Sequence, residues 1–242
     1  MTRQAVFLEL IGEPSMSKTH TSLLFLDPVL ADLTLRGKSK TILQKLYPDD
    51  WEDRYFRIKS FDELRAALEK AHKDGRRTFV IETGSDLRLM GGEEFLKVLQ
   101  SAKAGRQALH PTEWKAVNEW VNEIINKVIE EYKINLIITA EMSDEWQSGE
   151  TTGKRKRSGY PRMDFYADIR LYFKIDTKME GTDPVVVTKT RTALVAKNGF
   201  INQVSPDWIP EIILPVDNNP SEFKTFRLIM DLAKIPDDRW MK

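Results

Sequence analysis

The stretch that most constrains this chain is AVFLELI (5–11) running into Gly12-Glu13-Pro14-Ser15-Met16-Ser17-Lys18-Thr19-His20. The first part reads as a buried strand, and the second as a turn entering a helix. Gly12 to Thr19 lies one residue away from Gly-x4-Gly-Lys-Ser/Thr, the pattern in which a strand delivers a loop to the carboxyl edge of a sheet. Such a loop turns its backbone N–H groups inward as an anion cradle. A lysine meets the outer phosphates of a nucleotide, and a Ser or Thr hydroxyl at the helix start ligates Mg²⁺. Lys18 and Thr19 stand at those two positions, and Gly12 to His20 form the cradle. Ser17 departs from the pattern. It stands where a second glycine is usual and adds a hydroxymethyl group near the phosphates. A plain strand–turn–helix with a surface lysine is the alternative reading of the same residues.

The rest of the chain continues the alternation that such a unit needs. Residues 28–37 (PVLADLTLRG) and 54–60 (RYFRIKS) read as strands. Ser60 and Glu63 make a capping-box pattern for a helix through about Lys73. Residues 76–84 (RRTFVIETG) give a further strand, and a helix follows from about Glu93 to Ala102. Trp114, Val117, Val121, Ile124, Val128 and Ile129 recur at helical spacing over about 112–132. The nearly continuous apolar run at 134–142 (INLIITAEM) suits a central parallel strand. Residues 147–163 hold Gly149, Gly153, Gly159, Pro161 and a basic run, and read as a long mobile loop. Strands near 168–176 and 184–196 follow, with a turn at Gly181–Pro184. Asn219, Pro220 and Glu222 start a last helix over about 219–235. The expected class is therefore α/β: a mostly parallel central sheet, helices on both faces and an antiparallel edge extension. The 242 residues suit one domain with its core over about 5–200.

Composition limits the chemistry. There are no cysteines, which removes disulfides, thiolate nucleophiles and Cys-based metal sites. His20, His72 and His110 are scattered and read as ordinary histidines rather than a metal site. Lys and Arg together number 37, as do Asp and Glu, so any nucleic-acid contact must come from a local patch rather than bulk charge. No apolar stretch approaches the roughly 20 residues of a membrane-spanning helix, and no signal peptide is read. The expected location is cytoplasmic.

A nucleotide hydrolase also needs a carboxylate at the end of a neighbouring strand to hold Mg²⁺ through water. Glu82, closing Phe79-Val80-Ile81-Glu82, offers one, and Asp86 is a second acid nearby. An unremarkable strand-end carboxylate is the alternative. The order is Lys18-Thr19, Asp32, FVIETGSDL, EWKAVNEWVNEII, LIITAEM, a Gly/basic segment, MDFYADIRLYFKI and VVVTKTRT. In this order the chain resembles the RecA-like P-loop ATPases over roughly residues 5–200. It looks most like the small phage and archaeal-virus ATPases grouped with single-strand-annealing recombination proteins. The resemblance implies that Lys18 and Thr19 bind ATP and Mg²⁺, and that Glu82 is the second metal-side acid. It puts Glu141 at the end of the sensor strand, where a glutamine often feels the γ-phosphate. It puts Thr34 where a catalytic acid is expected two residues past Asp32. Ser17, Thr34 and Glu141 depart from that pattern, so binding with slow hydrolysis is expected.

The resemblance also implies partners. Lys189 and Arg191, two apart on a strand and so on one face, resemble a pair that reaches the γ-phosphate of a neighbouring subunit. That implies a homo-oligomer with nucleotide at the interface. Lys154, Arg155, Lys156 and Arg157 form a basic run, followed by Tyr160 and Arg162. RecA-like proteins hold DNA with loops after the sensor strand, so these cations would neutralise phosphates and Tyr160 would stack on a base. The expected function is an ATP-binding protein acting on single-stranded DNA, of viral origin by this resemblance. The alternatives are a regulatory nucleotide-binding oligomer without DNA activity, and a small-molecule kinase with Arg155, Arg157 and Arg162 on a lid. A solvated basic surface is the plain alternative for both cationic groups.

Overall fold

The computed structural model describes residues 5–34, 37–102, 105–147, 150–180, 186–198, 211–213 and 231. The chain opens with β1 (Phe7–Gly12), the loop and α1 (Lys18–Ser22). Next come β2 (Pro28–Asp32), α2 (Lys38–Leu46), α3 (Trp51–Arg54), β3 (Tyr55–Arg57), α4 (Phe61–Lys73), β4 (Thr78–Glu82) and α5 (Gly84–Ala102). Then α6 (Trp114–Asn126) passes into a π-helical turn at Lys127–Glu131. The described chain continues with β5 (Asn135–Gln147), β6 (Glu150–Arg157), α7 (Met163–Tyr166), β7 (Ile169–Glu180), β8 (Val186–Asn198) and β9 (Glu211–Ile213).

The strands form one sheet in the order β3-β2-β4-β5-β1-β7-β8-β9, with β6 paired to β5. The six strands from β3 to β7 are mutually parallel. β8 and β9 add antiparallel strands at one edge. The fold is thus α/β with a mostly parallel sheet. Alternation along the strands feeds two cores. Leu8 and Leu10 of β1, Leu30 of β2 and Val80 of β4 face a core closed by Leu23, Phe25 and the α2 residues Leu43 and Leu46. Phe7, Val29, Ala31, Phe79 and Ile81 face the other core, closed by α4, Leu87 of α5 and Val121, Ile124 and Ile125 of α6. Helices therefore cover both faces, as strands apolar on both sides require.

Local signals explain most boundaries. Ser60 accepts from the Glu63 N–H at 3.1 Å and caps α4. The Glu63 carboxylate reaches back to the Lys59 N–H at 2.6 Å, one residue before the usual partner. Other boundaries correct the sequence reading. β2 stops at Asp32, short of the strand expected through Gly37, and a helix, α2, follows that the sequence reading does not contain. α5 begins at Gly84, well before Glu93. Gly91 and Gly92 do not break it; they let it pass close to its neighbours. A Cβ on Gly91 would lie 2.9 Å from Phe61 and Val117, and one on Gly92 would lie 2.6 Å from Trp114.

The largest correction is at 147–163. The described part of this segment is not a long loop. β5 runs on to Gln147 and β6 returns antiparallel beside it, with Asp144 opposite Arg155 and Met142 opposite Arg157. The turn at Gly181–Pro184 and the helix expected over 219–235 lie outside the described residues, apart from Asp231. Among the described residues, no helix is long and apolar enough to cross a membrane.

Candidate functional site

Gly12 ends β1, and the loop that follows bends through two left-handed residues, Ser15 and Ser17, each at φ 67°. A non-glycine residue there costs roughly 1 kcal/mol. Ser17 therefore occupies a backbone position that favours the glycine it replaces. α1 begins at the next residue, Lys18, whose side chain is buried under the loop. Its ammonium donates to Gly12 O at 2.9 Å and to Glu13 O at 2.8 Å. Two of its three donors hold the loop, which leaves one for a ligand.

Carboxylates surround this ammonium. Burial lowers the Lys18 pKa, and Glu82, Glu141 and Glu13 pull it back up. Glu141 lies directly opposite Gly12 across the β1–β5 ladder and is exposed. Glu82 ends β4, which is not the immediate neighbour of β1: β5 lies between them. Its carboxyl is buried, and burial pushes its pKa up to about 7 against the Thr139 and Thr19 hydroxyls and the Lys18 charge. Glu82 Oε2 and Thr139 Oγ1 are among the buried polar atoms of the described residues that make no well-aligned hydrogen bond, although the Thr139 hydroxyl lies close enough to favour the charged carboxylate. Asp86 turns towards Thr83, accepting from its hydroxyl at 3.3 Å.

Asp32 is engaged. It accepts from Thr34 N at 2.8 Å, Thr34 Oγ1 at 2.6 Å, Ser39 Oγ at 3.0 Å and the Tyr55 hydroxyl at 3.0 Å. These bonds pin the start of α2 to the end of β2. They bring Lys38, Ser39 and Ile42 to a cavity of about 440 Å³ beside the loop. Its other walls are Pro14 to His20, Thr34, Glu82, Thr83 and Glu141. Glu82 and Glu141 thus line one cavity with Lys18 and Thr19. Sequence reasoning does not find the α2 residues or Thr83. Gly37, at φ 59° just before Lys38-Ser39, is the one signal that could have marked the helix start.

The basic run is divided. Arg157 has a side chain only 9% exposed and lies 3.2 Å from the buried carboxylate of Glu9, which Arg170 also meets at 2.9 Å. Arg155 reaches Glu13 at 2.9 Å and Asp144 at 3.3 Å. Lys154 and Lys156 are exposed, as is Arg162. Among the described residues neither lysine has an acidic partner within ion-pair distance. Tyr160 is fully buried, packs in the second core and donates to Asn122 Oδ1 at 2.8 Å. It cannot stack on a base in this state, so that role is withdrawn, and Arg157 is withdrawn from both the DNA and the lid readings. Gly159, at φ 98°, permits this inward path, since a Cβ there would lie 2.8 Å from Gly84 O. Lys189 and Arg191 lie on β8 opposite Thr177 and Ile175. Their side chains fall outside the described residues.

The arrangement can hold an anion: a lysine and a bent loop face a cavity whose depth carries an unpartnered carboxyl oxygen. No protein-family model matches the chain, and no curated protein matches it.

Proposed function

We propose that the chain is an ATP-binding protein of the RecA-like P-loop kind that uses Mg²⁺, hydrolyses slowly and acts on single-stranded DNA in recombination or annealing. The observation that carries the reading is the placement of Lys18. Its buried ammonium holds the loop carbonyls at the carboxyl end of β1, and it shares one cavity with Thr19 and Glu82. Ligands of open α/β sheets bind at that end of the strands. About 440 Å³ lies within the usual range for small-molecule sites.

The residues fit the expected ligand. Lys18 has a donor left for the outer phosphates. The left-handed bends at Ser15 and Ser17 give the loop a concavity of the kind that binds anions. Thr19 and Glu82 would hold Mg²⁺, and the unpartnered Glu82 Oε2 is the oxygen that such a cation would satisfy. The cation would neutralise charge between the phosphates and the carboxylates around Lys18. Slow turnover is expected for two reasons. The Thr34 hydroxyl donates to Asp32 and offers no base, and Glu141 stands where a neutral side chain would better face a γ-phosphate.

Calorimetric titration of Mg·ATP tests this. Lys18→Ala should abolish binding while the protein still folds and unfolds cooperatively, at a melting temperature lowered only by the loss of the two loop hydrogen bonds. Equal affinity in wild type and variant would reject the site. A second reading, a regulatory nucleotide-binding oligomer without DNA activity, is favoured by the burial of Arg157 and Tyr160, which takes two of six residues away from DNA. Fluorescence anisotropy with a labelled oligo-dT separates the two, since only the first reading expects binding.

A further inference from the structure

Alternate residues of β6 share a face. On one face Arg155 and Arg157 each meet an acid of the β1 segment: Arg157 meets Glu9 within the strand, and Arg155 meets Glu13 in the loop. Glu13 has two roles there. Its carbonyl accepts from Lys18, and its carboxylate is one of three that attract the Lys18 ammonium. An incoming phosphate must compete with all three for that ammonium and is itself repelled by them. Among the described residues, Glu13 is the one of the three with a cationic partner besides Lys18. Arg155 is itself held in place beside Glu13. Its guanidinium also donates to Met142 O at 3.0 Å and lies 3.3 Å from Asp144, which fixes the fork on the β5–β6 arm.

We propose that Arg155 is a positioning residue for the nucleotide site: it draws the Glu13 carboxylate onto the β5–β6 arm, and so removes one competitor for Lys18 and one source of repulsion for the phosphates. This rests on the nucleotide reading above. It also gives the hairpin a defined electrostatic role at the loop. The pair is partly exposed, with side chains 44% and 34% accessible, so its effect is salt-sensitive.

The test is Mg·ATP affinity by calorimetry at low and at elevated salt for wild type, R155A, R155K, E13Q and the double variant R155A/E13Q. R155A should weaken binding roughly tenfold at low salt, with the deficit shrinking as salt screens the freed Glu13 charge. R155K keeps the charge without the fork and should recover a large part of the loss. E13Q should tighten binding. The double variant should return close to wild type, because the carboxylate that Arg155 restrains is gone. An unchanged affinity in R155A overturns the proposal, and so does a double variant as weak as R155A, which would mean that Arg155 acts only on the fold. If wild type binds no ATP, the nucleotide reading fails and takes this proposal with it. If wild type binds and the cycle shows no coupling, this proposal alone fails.

Discussion

Replacing Glu82 with Gln removes one buried charge and almost nothing else, so it isolates the electrostatics at the floor of the site. Burial pushes this carboxyl from 4.5 up to about 7. A shift of that size corresponds to about 3 kcal/mol between its two protonation states. The folded protein keeps the proton over a range where the unfolded chain has released it. The folded state then binds more protons, and stability falls as pH rises. The contribution is fully present below the unfolded value and is lost as pH rises through about 7. Gln cannot ionise and lacks this slope. Urea unfolding of both proteins in the presence of a chelator should therefore give similar stabilities near pH 4.5. The variant should lead by up to about 3 kcal/mol towards pH 8. Mg·ATP should reverse the preference, because a cation beside the carboxyl favours its charged form. Binding near pH 6 should then release a proton, visible as a buffer-dependent enthalpy in wild type and missing in the variant. Parallel pH profiles for the two proteins would refute the reasoning.

Ser17→Gly relieves a left-handed serine at φ 67°, and after glycine's extra freedom in the unfolded chain is counted it should be neutral to about 0.5 kcal/mol stabilising. Thermal melts check the stability, and titration should show tighter ATP binding. Lys154→Ser with Lys156→Ser should weaken oligo-dT binding and lower its log–log salt slope by roughly 1.5, whereas unchanged affinity would move DNA elsewhere. Arg157→Ala should act on stability instead, costing about 3 kcal/mol in urea unfolding by stripping a buried carboxylate of one of its two cations. Lys189→Ala with Arg191→Ala should abolish ATP-promoted oligomers in sedimentation velocity while each monomer still binds ATP; a wild type that stays monomeric with ATP and DNA would refute the trans-acting role.

The parts legible in the sequence are those governed by neighbours along the chain. The strand before Gly12, the cap at Ser60 and the apolar stripe of α6 each depend on residues within a turn or two, and the structure has them where the spacing puts them. The failures share a different cause. From the sequence a helix is expected only from about Glu93, yet α5 already runs through Gly91 and Gly92, whose role is set by Phe61, Val117 and Trp114 on other elements. The basic run with its flanking glycines looks like solvent-exposed loop, yet Arg157 answers a carboxylate at Glu9, and Tyr160 answers Asn122 on α6. Within the site, Lys18 and Thr19 are readable from one contiguous motif. Lys38, Ser39 and Ile42 are not, because Asp32 brings them there through hydrogen bonds that leave no periodic trace.

β1 is hydrogen-bonded to β5 on one side and to β7 on the other, and its Glu9 meets Arg157 and Arg170. One of its two neighbours is thus made long after it, since β7 begins only at Ile169. At about 5–20 residues per second, its second neighbour leaves the ribosome on the order of ten seconds or more after it does. Once β5 is made Leu8, Leu10 and Ile11 have one neighbour to pair with, but until β7 follows the other edge of β1 is open and Glu9 lacks Arg170. A nascent chain interrupted before Arg170 would carry an apolar strand with an open edge, a template for pairing with other copies of itself. Full neutralisation of Glu9 therefore waits for Arg170, the later-made of its two cations.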